Sequence, residues 1–179
     1  MKDYSKIKEV ICNAGAIIIG AGAGLSTSAG INYGTTDFAK NFPELVQKYQ
    51  MTDMYTSSFY EFKTEEERWS YWAKHINYLY NIPATNVYKN LYELVKNKEY
   101  FIITTNVDGQ FLKAGFAKEK VFEVQGSLSK MQCSVGCHQK LYDVLALVQE
   151  MLHNEKDCKI SSDLVPYCPR CGEKMEINL

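Results

Sequence analysis

Apolar residues recur along the chain with changing period, and each change marks an element. Ile7, Val10, Ile11 and Ala14 stand at helical spacing across residues 3–14, predicting an amphipathic helix whose apolar stripe lies on a sheet. The run Ala16-Ile17-Ile18-Ile19 follows, short and β-branched, and reads as a strand buried on both faces. It ends in the small-residue stretch Gly20-Ala21-Gly22-Ala23-Gly24-Leu25-Ser26-Thr27-Ser28-Ala29-Gly30-Ile31, where backbone N–H groups can approach a ligand closely and Ser26, Thr27 and Ser28 offer hydroxyls at the start of a short helix. As G-x-G-x-x-G this turn fits poorly, because Leu25 stands where an ordinary dinucleotide fingerprint has Gly or Ala. The next thirty residues are irregular and aromatic, with Phe38, Phe42, Leu45, Val46 and Tyr49 suited to short helices. Two roles suit this stretch equally, a lid over a pocket or an aromatic satellite core.

Thr64-Glu65-Glu66-Glu67 is a capping box opening a helix that runs to about Tyr80, with Trp69, Trp72, Ala73, Ile76 and Leu79 on its core face and His75 at the surface or rim. Val87, Leu91, Leu94 and Val95 mark a second helix between Pro83 and Asn97. Two further short strands, Tyr100–Thr104 and Val121–Val124, each run into a polar turn: Thr105-Asn106-Val107-Asp108-Gly109 and Gln125-Gly126-Ser127. Strands alternating with helices predict a parallel α/β sheet, whose ligands sit at the carboxyl ends of the strands. Three strands are legible, where a doubly wound sheet has about six, so the sheet is expected to be incomplete.

The chemistry then changes. Cys133 with Cys137, and Cys168 with Cys171, are two close pairs separated by a helical stretch from Leu141 to His153. Two such knuckles match a closed tetrahedral zinc site, with His138 and Cys158 as alternative ligands. The chain has 179 residues, six cysteines and a formal net charge of −1. That balance gives no basic face for nucleic acid or an anionic membrane, and no apolar run reaches membrane length. A cytoplasmic protein is expected, with thiols rather than disulfides. The expected domains are a parallel α/β segment over residues 1–126, carrying a helical and aromatic insert at 32–82, and a zinc module over 127–179.

Gly22–Ile31, Thr105-Asn106-Val107-Asp108, Gln125-Gly126-Ser127 and the cysteine quartet resemble the sirtuin family in order and spacing. Tyr33, Phe38, Asp53-Met54-Tyr55 and Phe59-Tyr60-Glu61-Phe62-Lys63 are similar to its macrodomain-linked branch, class M, whose members are protein ADP-ribosyltransferases. The resemblance implies a Rossmann-like sheet with a small zinc ribbon, NAD as cosubstrate and structural Zn2+. It implies that Ala23, Gly24, Ser26, Thr27 and Tyr33 contact NAD, together with Thr105, Val107 and Gln125. Asp108 would bind the nicotinamide carboxamide, and Asn106 would orient a water or hydroxyl at the nicotinamide ribose. Cys133, Cys137, Cys168 and Cys171 would hold zinc, remote from the chemistry.

Two departures bear on the reaction. Most sirtuins carry a His before the Gly-Ser pair as general base, and Gln125 stands there. A neutral amide cannot take up a proton, so a step of about 10²–10⁴-fold is lost from the deacylation route. The usual Pro-Asp-Phe-Arg is replaced by Asn32-Tyr33-Gly34-Thr35-Thr36-Asp37-Phe38, without its Arg. The expected activity is therefore ADP-ribosyl transfer from NAD to a protein side chain, with a lipoyl-carrier protein as acceptor and a macrodomain hydrolase as functional partner. Lysine deacylation is one alternative. The other is a catalytically dead binding module, since sirtuins continue beyond the zinc module and this chain is expected to be a truncated product or fragment.

Overall fold

A computed structural model describes residues 3–31 and 34–179. In chain order the elements are α1 (Ser5–Asn13), β1 (Ala16–Ala21), α2 (Ala23–Ser28), α3 (Thr35–Asn41), α4 (Pro43–Tyr49) and α5 (Met54–Ser57). The long helix α6 (Glu65–Asn81) and α7 (Asn86–Val95) lead to β2 (Glu99–Thr104), the one-turn α8 (Gln110–Lys113) and β3 (Val121–Glu123). The chain continues through β4 (Ser127–Cys133), β5 (Tyr142–Asp143), α9 (Leu145–His153) and β6 (Met175–Asn178).

These elements form two compact units. One is built from the described parts of residues 1–29 and 83–125, the other from those of 30–82 and 126–179. The aromatic insert thus shares a unit with the cysteine-bearing segment, whereas the order along the chain groups it with the glycine turn.

In the first unit β1, β2 and β3 lie in that order, all parallel, with Ala21 paired to Thr104 and Thr104 to Glu123 at their carboxyl ends. Ile17, Ile19 and Ala21 pack with Ile102 against Tyr88, Val95, Phe111 and Phe116. Side chains alternate along a strand, so Ile18 lies on the opposite face, where it is 72% exposed together with Phe101, Ile103 and Phe122. β1 is therefore covered on one face among the described residues, and the expectation of burial on both is corrected. α1 forms as predicted, but Ile7 and Val10 are 57% and 63% exposed and the helix has no buried residue. Its amphipathic pattern calls for a cover that the described residues do not supply.

The second unit holds an antiparallel sheet in the order β5-β4-β6, and α6 packs against α9. Thr64 caps α6 by accepting from the Glu67 N–H at 3.3 Å. Glu67 does not complete the box: its carboxylate pairs with Lys159 at 3.7 Å. Trp69, Ala73, Ile76 and Leu79 are fully buried, as the helical stripe predicts. His75 is not at the rim but 5% exposed, stacked on Trp72 and joined through Nδ1 to the Tyr71 hydroxyl at 3.1 Å. Of the two roles open to the aromatic insert, the satellite core accounts for buried Phe38, Phe42, Leu45 and Met54. Lys74 fastens this unit, with Nζ 2.8 Å from Glu44 Oε1 and 3.0 Å from Glu155 Oε2. Among the described residues no helix is long and apolar enough to cross a membrane.

Candidate active site and zinc centre

Parallel pairing brings the carboxyl ends of β1, β2 and β3 to one edge, so the three polar turns start side by side. β1 runs through Gly22 into α2, whose first N–H groups precede the helix's own bonding pattern. Gly22 lets the two turns approach closely: a Cβ there would stand 3.3 Å from Thr105 Oγ1 on the neighbouring turn, a tight contact. Thr105 continues the ladder, donating its N–H to the Ala21 carbonyl at 3.1 Å.

A buried polar network lies behind this edge. Ser26 Oγ donates to Asp108 Oδ2 at 2.6 Å, and Asp108 Oδ1 accepts from the Gln110 N–H at 3.0 Å. Asn106 Nδ2 donates to the Gly22 carbonyl at 3.0 Å and to the Tyr88 hydroxyl at 3.2 Å, while the Asn106 N–H donates to Thr104 Oγ1 at 3.0 Å. The Tyr88 hydroxyl also reaches Ser26 Oγ at 3.3 Å and Asp108 Oδ2 at 3.4 Å. Burial pushes the Tyr88 phenol up to about 12, and Asp108 beside it acts in the same direction. Lys113, on α8, is pushed below the ordinary lysine value by burial, with Asp108 opposing the shift.

Of the residues singled out in the sequence, Ser26, Asn106 and Asp108 meet in this network. Ala23, Gly24 and Thr27 lie on exposed α2, with Thr27 Oγ1 turned back to the Ala23 carbonyl at 3.1 Å. Thr105 is exposed and Val107 half-buried on the β2 turn. Gln125, also exposed, follows Glu123 of β3 by the same two residues that separate Asn106 from Thr104, the partner of Glu123 in register. Tyr33 lies outside the described residues.

Sequence reasoning passed over Tyr88 and Gln110. Tyr88 lies one residue from the stripe Val87, Leu91, Leu94 and Val95, and in α7 it is Tyr88 and Val95 that are buried, with Leu94 exposed. Tyr88 stands two helical turns ahead of Val95, on the same face, and that spacing was the available signal. Gln110 is buried, accepting from the Thr85 N–H at 2.9 Å and donating to the Pro83 carbonyl at 3.2 Å, which ties α8 to the start of α7.

In the second unit the sulfurs of Cys133, Cys137, Cys168 and Cys171 all lie within 4.8 Å of one another. The pairs Cys133–Cys171 and Cys137–Cys168 are 3.5 Å apart, far beyond a disulfide bond of about 2.05 Å. Four thiolates about 2.3 Å from one Zn2+ in a tetrahedron stand about 3.8 Å from each other, so the donor set fits zinc. Each knuckle closes on a turn, the Gly136 N–H donating to the Cys133 carbonyl and the Gly172 N–H to that of Cys168, both at 2.9 Å. His138 takes a neighbouring place, its Nε2 3.6 Å from Cys168 Sγ and 3.1 Å from the Tyr142 hydroxyl. Cys158 lines a separate cavity of about 570 Å3 with Glu44, Gln47, Lys48, Lys74, Glu155 and Asp157. That cavity holds none of the residues of either site.

A parallel sheet with a glycine turn at its carboxyl edge, joined to a four-cysteine ribbon, defines a Rossmann-like protein with a zinc module. The chain belongs to the Sir2 family, whose profile matches residues 22–179. It is 36% identical over 179 residues to a protein ADP-ribosyltransferase of Staphylococcus aureus, covering 99% of this chain and 56% of that protein. It is 34% identical to a probable bifunctional ADP-ribose hydrolase/ADP-ribosyltransferase of Fusarium oxysporum f. sp. cubense, covering 97% of this chain and 30% of that one. The chain thus spans between about a third and a little over half of these relatives. Among solved structures, a Sir2 homologue–NAD complex superposes with a TM-score of 0.63 at 22% identity, covering 97% of this chain and 59% of its own. That likeness speaks for the fold.

Proposed function

We propose that the chain is the NAD-cleaving part of a protein ADP-ribosyltransferase, transferring ADP-ribose to a protein side chain. The observation that carries this reading is Gln125 on the turn two residues beyond β3, as Asn106 is two residues beyond Thr104, the partner of Glu123 in register. An amide there donates and accepts hydrogen bonds but takes up no proton, which removes the base from deacylation and leaves glycosyl transfer available. The names of the two relatives point the same way.

NAD supplies the chemistry, a C1′–nicotinamide bond whose cleavage leaves a centre open to a nucleophile. The chain's part is to hold and orient. The first N–H groups of α2, at Ala23 and Gly24, suit diphosphate oxygens, with Ser26, Thr27 and Tyr33 completing the contacts. Asp108 accepts from the carboxamide, Thr105, Val107 and Gln125 flank the ribose, and Asn106 accepts from a water or hydroxyl. Asn106, Asp108 and Gln125 are the residues assigned to the chemistry. Cys133, Cys137, Cys168 and Cys171 hold a structural zinc. The acceptor in this reading is a lipoyl-carrier protein and the functional partner a macrodomain hydrolase; the name of the fungal relative likewise couples an ADP-ribose hydrolase with an ADP-ribosyltransferase. The compartment is the cytoplasm, where thiols stay reduced.

The test is incubation with radiolabelled NAD and a lipoyl-carrier protein, read beside release of acyl groups from acyl-lysine peptides. Label transfer without deacylation is expected, with Gln125→His raising deacylation. An unmodified protein that removes acyl groups at a rate Gln125→His does not raise would overturn the reading.

A further inference from the structure

We propose that the Tyr88 hydroxyl is the positioning group of the site, holding the Asn106 amide so that its Oδ1 is presented as a hydrogen-bond acceptor. The inference rests on the reading of Asn106 above for its catalytic consequence, though not for its geometry. Asn106 Nδ2 carries two protons, and its two acceptors are the Gly22 carbonyl at 3.0 Å and the Tyr88 oxygen at 3.2 Å. The Gly22 carbonyl can only accept, so a flipped amide would set oxygen against oxygen there. With both protons engaged, Oδ1 is left over, and it accepts no hydrogen bond among the described residues.

Tyr88 can play this part because its own hydrogen bonds fix it from the other side. Ser26 gives its single proton to Asp108 Oδ2, so the Tyr88 proton is shared between Ser26 Oγ at 3.3 Å and Asp108 Oδ2 at 3.4 Å. That leaves the phenol oxygen as an acceptor toward Asn106. The ring is fully buried and set edge-on to Phe111, with centroids 4.9 Å apart at 83°. The phenol is held well above its ordinary titration range, so the proton stays in place across the working pH range. One hydroxyl thereby couples two turns: the glycine turn through Ser26, and the β2 turn through both Asn106 and Asp108.

Tyr88→Phe keeps the ring and removes the hydroxyl. The first readout is nicotinamide release: kcat is expected to fall about tenfold, the worth of one neutral hydrogen bond in orienting the acceptor, with KM for NAD within about threefold of wild type. The second is the NMR signal of the Asn106 side-chain NH2, which should shift toward a solvated asparagine in Tyr88→Phe. Tyr100→Phe removes a hydroxyl that accepts from the Ala117 N–H at 3.1 Å, outside the network, and should leave both readouts unchanged. An Asn106 signal and a kcat untouched by Tyr88→Phe would overturn the proposal. If wild-type protein releases no nicotinamide, the ADP-ribosyl reading fails, and the Asn106 signal alone decides the role of Tyr88. Should Tyr88→Phe not fold, hydrogen exchange of the Asn106 NH2 in wild-type protein decides: both protons slowed supports the role, and exchange at the rate of a free amide refutes it.

Discussion

Ser26 and Asp108 are 82 residues apart in sequence, yet their side chains meet at 2.6 Å in a buried hydroxyl–carboxylate hydrogen bond. The contact fastens the glycine turn after β1 to the polar turn after β2, and so joins the two segments that supply most of the proposed NAD site. A carboxylate acceptor makes this bond stronger than one between neutral groups. Removing the donor takes away the shorter of the two contacts that Ser26 and Tyr88 make with Asp108 Oδ2. Ser26→Ala should therefore lower unfolding free energy by about 2 kcal/mol in a urea titration and weaken NAD binding in calorimetry. A loss under about 0.5 kcal/mol, the range of an ordinary surface change, would show that the turns do not depend on this bond.

The cysteine cluster gives a prediction about metal content. One zinc per chain is expected by elemental analysis, and a chelator should remove hydrogen-exchange protection from β4 and β6, because structural zinc contributes on the order of 10 kcal/mol of apparent binding free energy in small modules. Cys168→Ser should lower zinc content and destabilise the ribbon. Cys158→Ser should leave the metal in place, since Cys158 lies in the cavity with Lys74 and Glu155. Full zinc in Cys168→Ser would remove that thiol from the ligand set.

Two glycines with nearly the same φ separate conformational strain from steric overlap. Gly30 has φ +81° and nothing within 4 Å of an added Cβ, while Gly126 has φ +83° and a Cβ there would overlap the Asn178 carbonyl. Asn178 pairs in register with Ser127, so the overlap falls where β4 and β6 begin to pair. Gly30→Ala should cost about 1 kcal/mol, the left-handed strain alone. Gly126→Ala should cost at least about 2 kcal/mol, since strain and overpacking act together. Thermal unfolding of the two variants compares them directly, and equal losses would place the Asn178 contact outside the energetics.

What was legible in the sequence follows from how local each signal is. The strand read at residues 16–19, the glycine turn and the knuckle spacing are encoded within a few residues, and each formed close to where the pattern put it, with β1 running on through Gly20 and Ala21. The joint arrangement of Asn106, Asp108 and Ser26 needed the parallel order of strands, which alternation with helices supplies. Tyr88 and His75 were not legible as buried polar groups, because their partners lie on other turns or their burial depends on packing that no spacing specifies. The stripe of α1 and the outer face of β1 show the converse limit. Ile7, Val10 and Ile18 carry a pattern that calls for burial, yet the described residues leave them exposed. Periodicity states which face is apolar and is silent on what covers it.

His75 ties stability to pH. Burial in the insert pushes its imidazole down to about 4, while an unfolded chain titrates near the ordinary value of 6.5. Between those values the unfolded state binds more protons than the folded one, so unfolding free energy rises with pH. The contribution is fully present above about pH 6.5, falls as pH drops toward 4, and amounts to about 3 kcal/mol at this shift of roughly 2.5 pH units. His75→Gln removes the titrating group, so between pH 7 and pH 4.5 its stability should decline less steeply than that of wild type. Parallel urea titrations across that interval measure the difference in slope. Superimposable pH profiles for the two proteins would mean that His75 titrates normally and is hydrated in the folded chain.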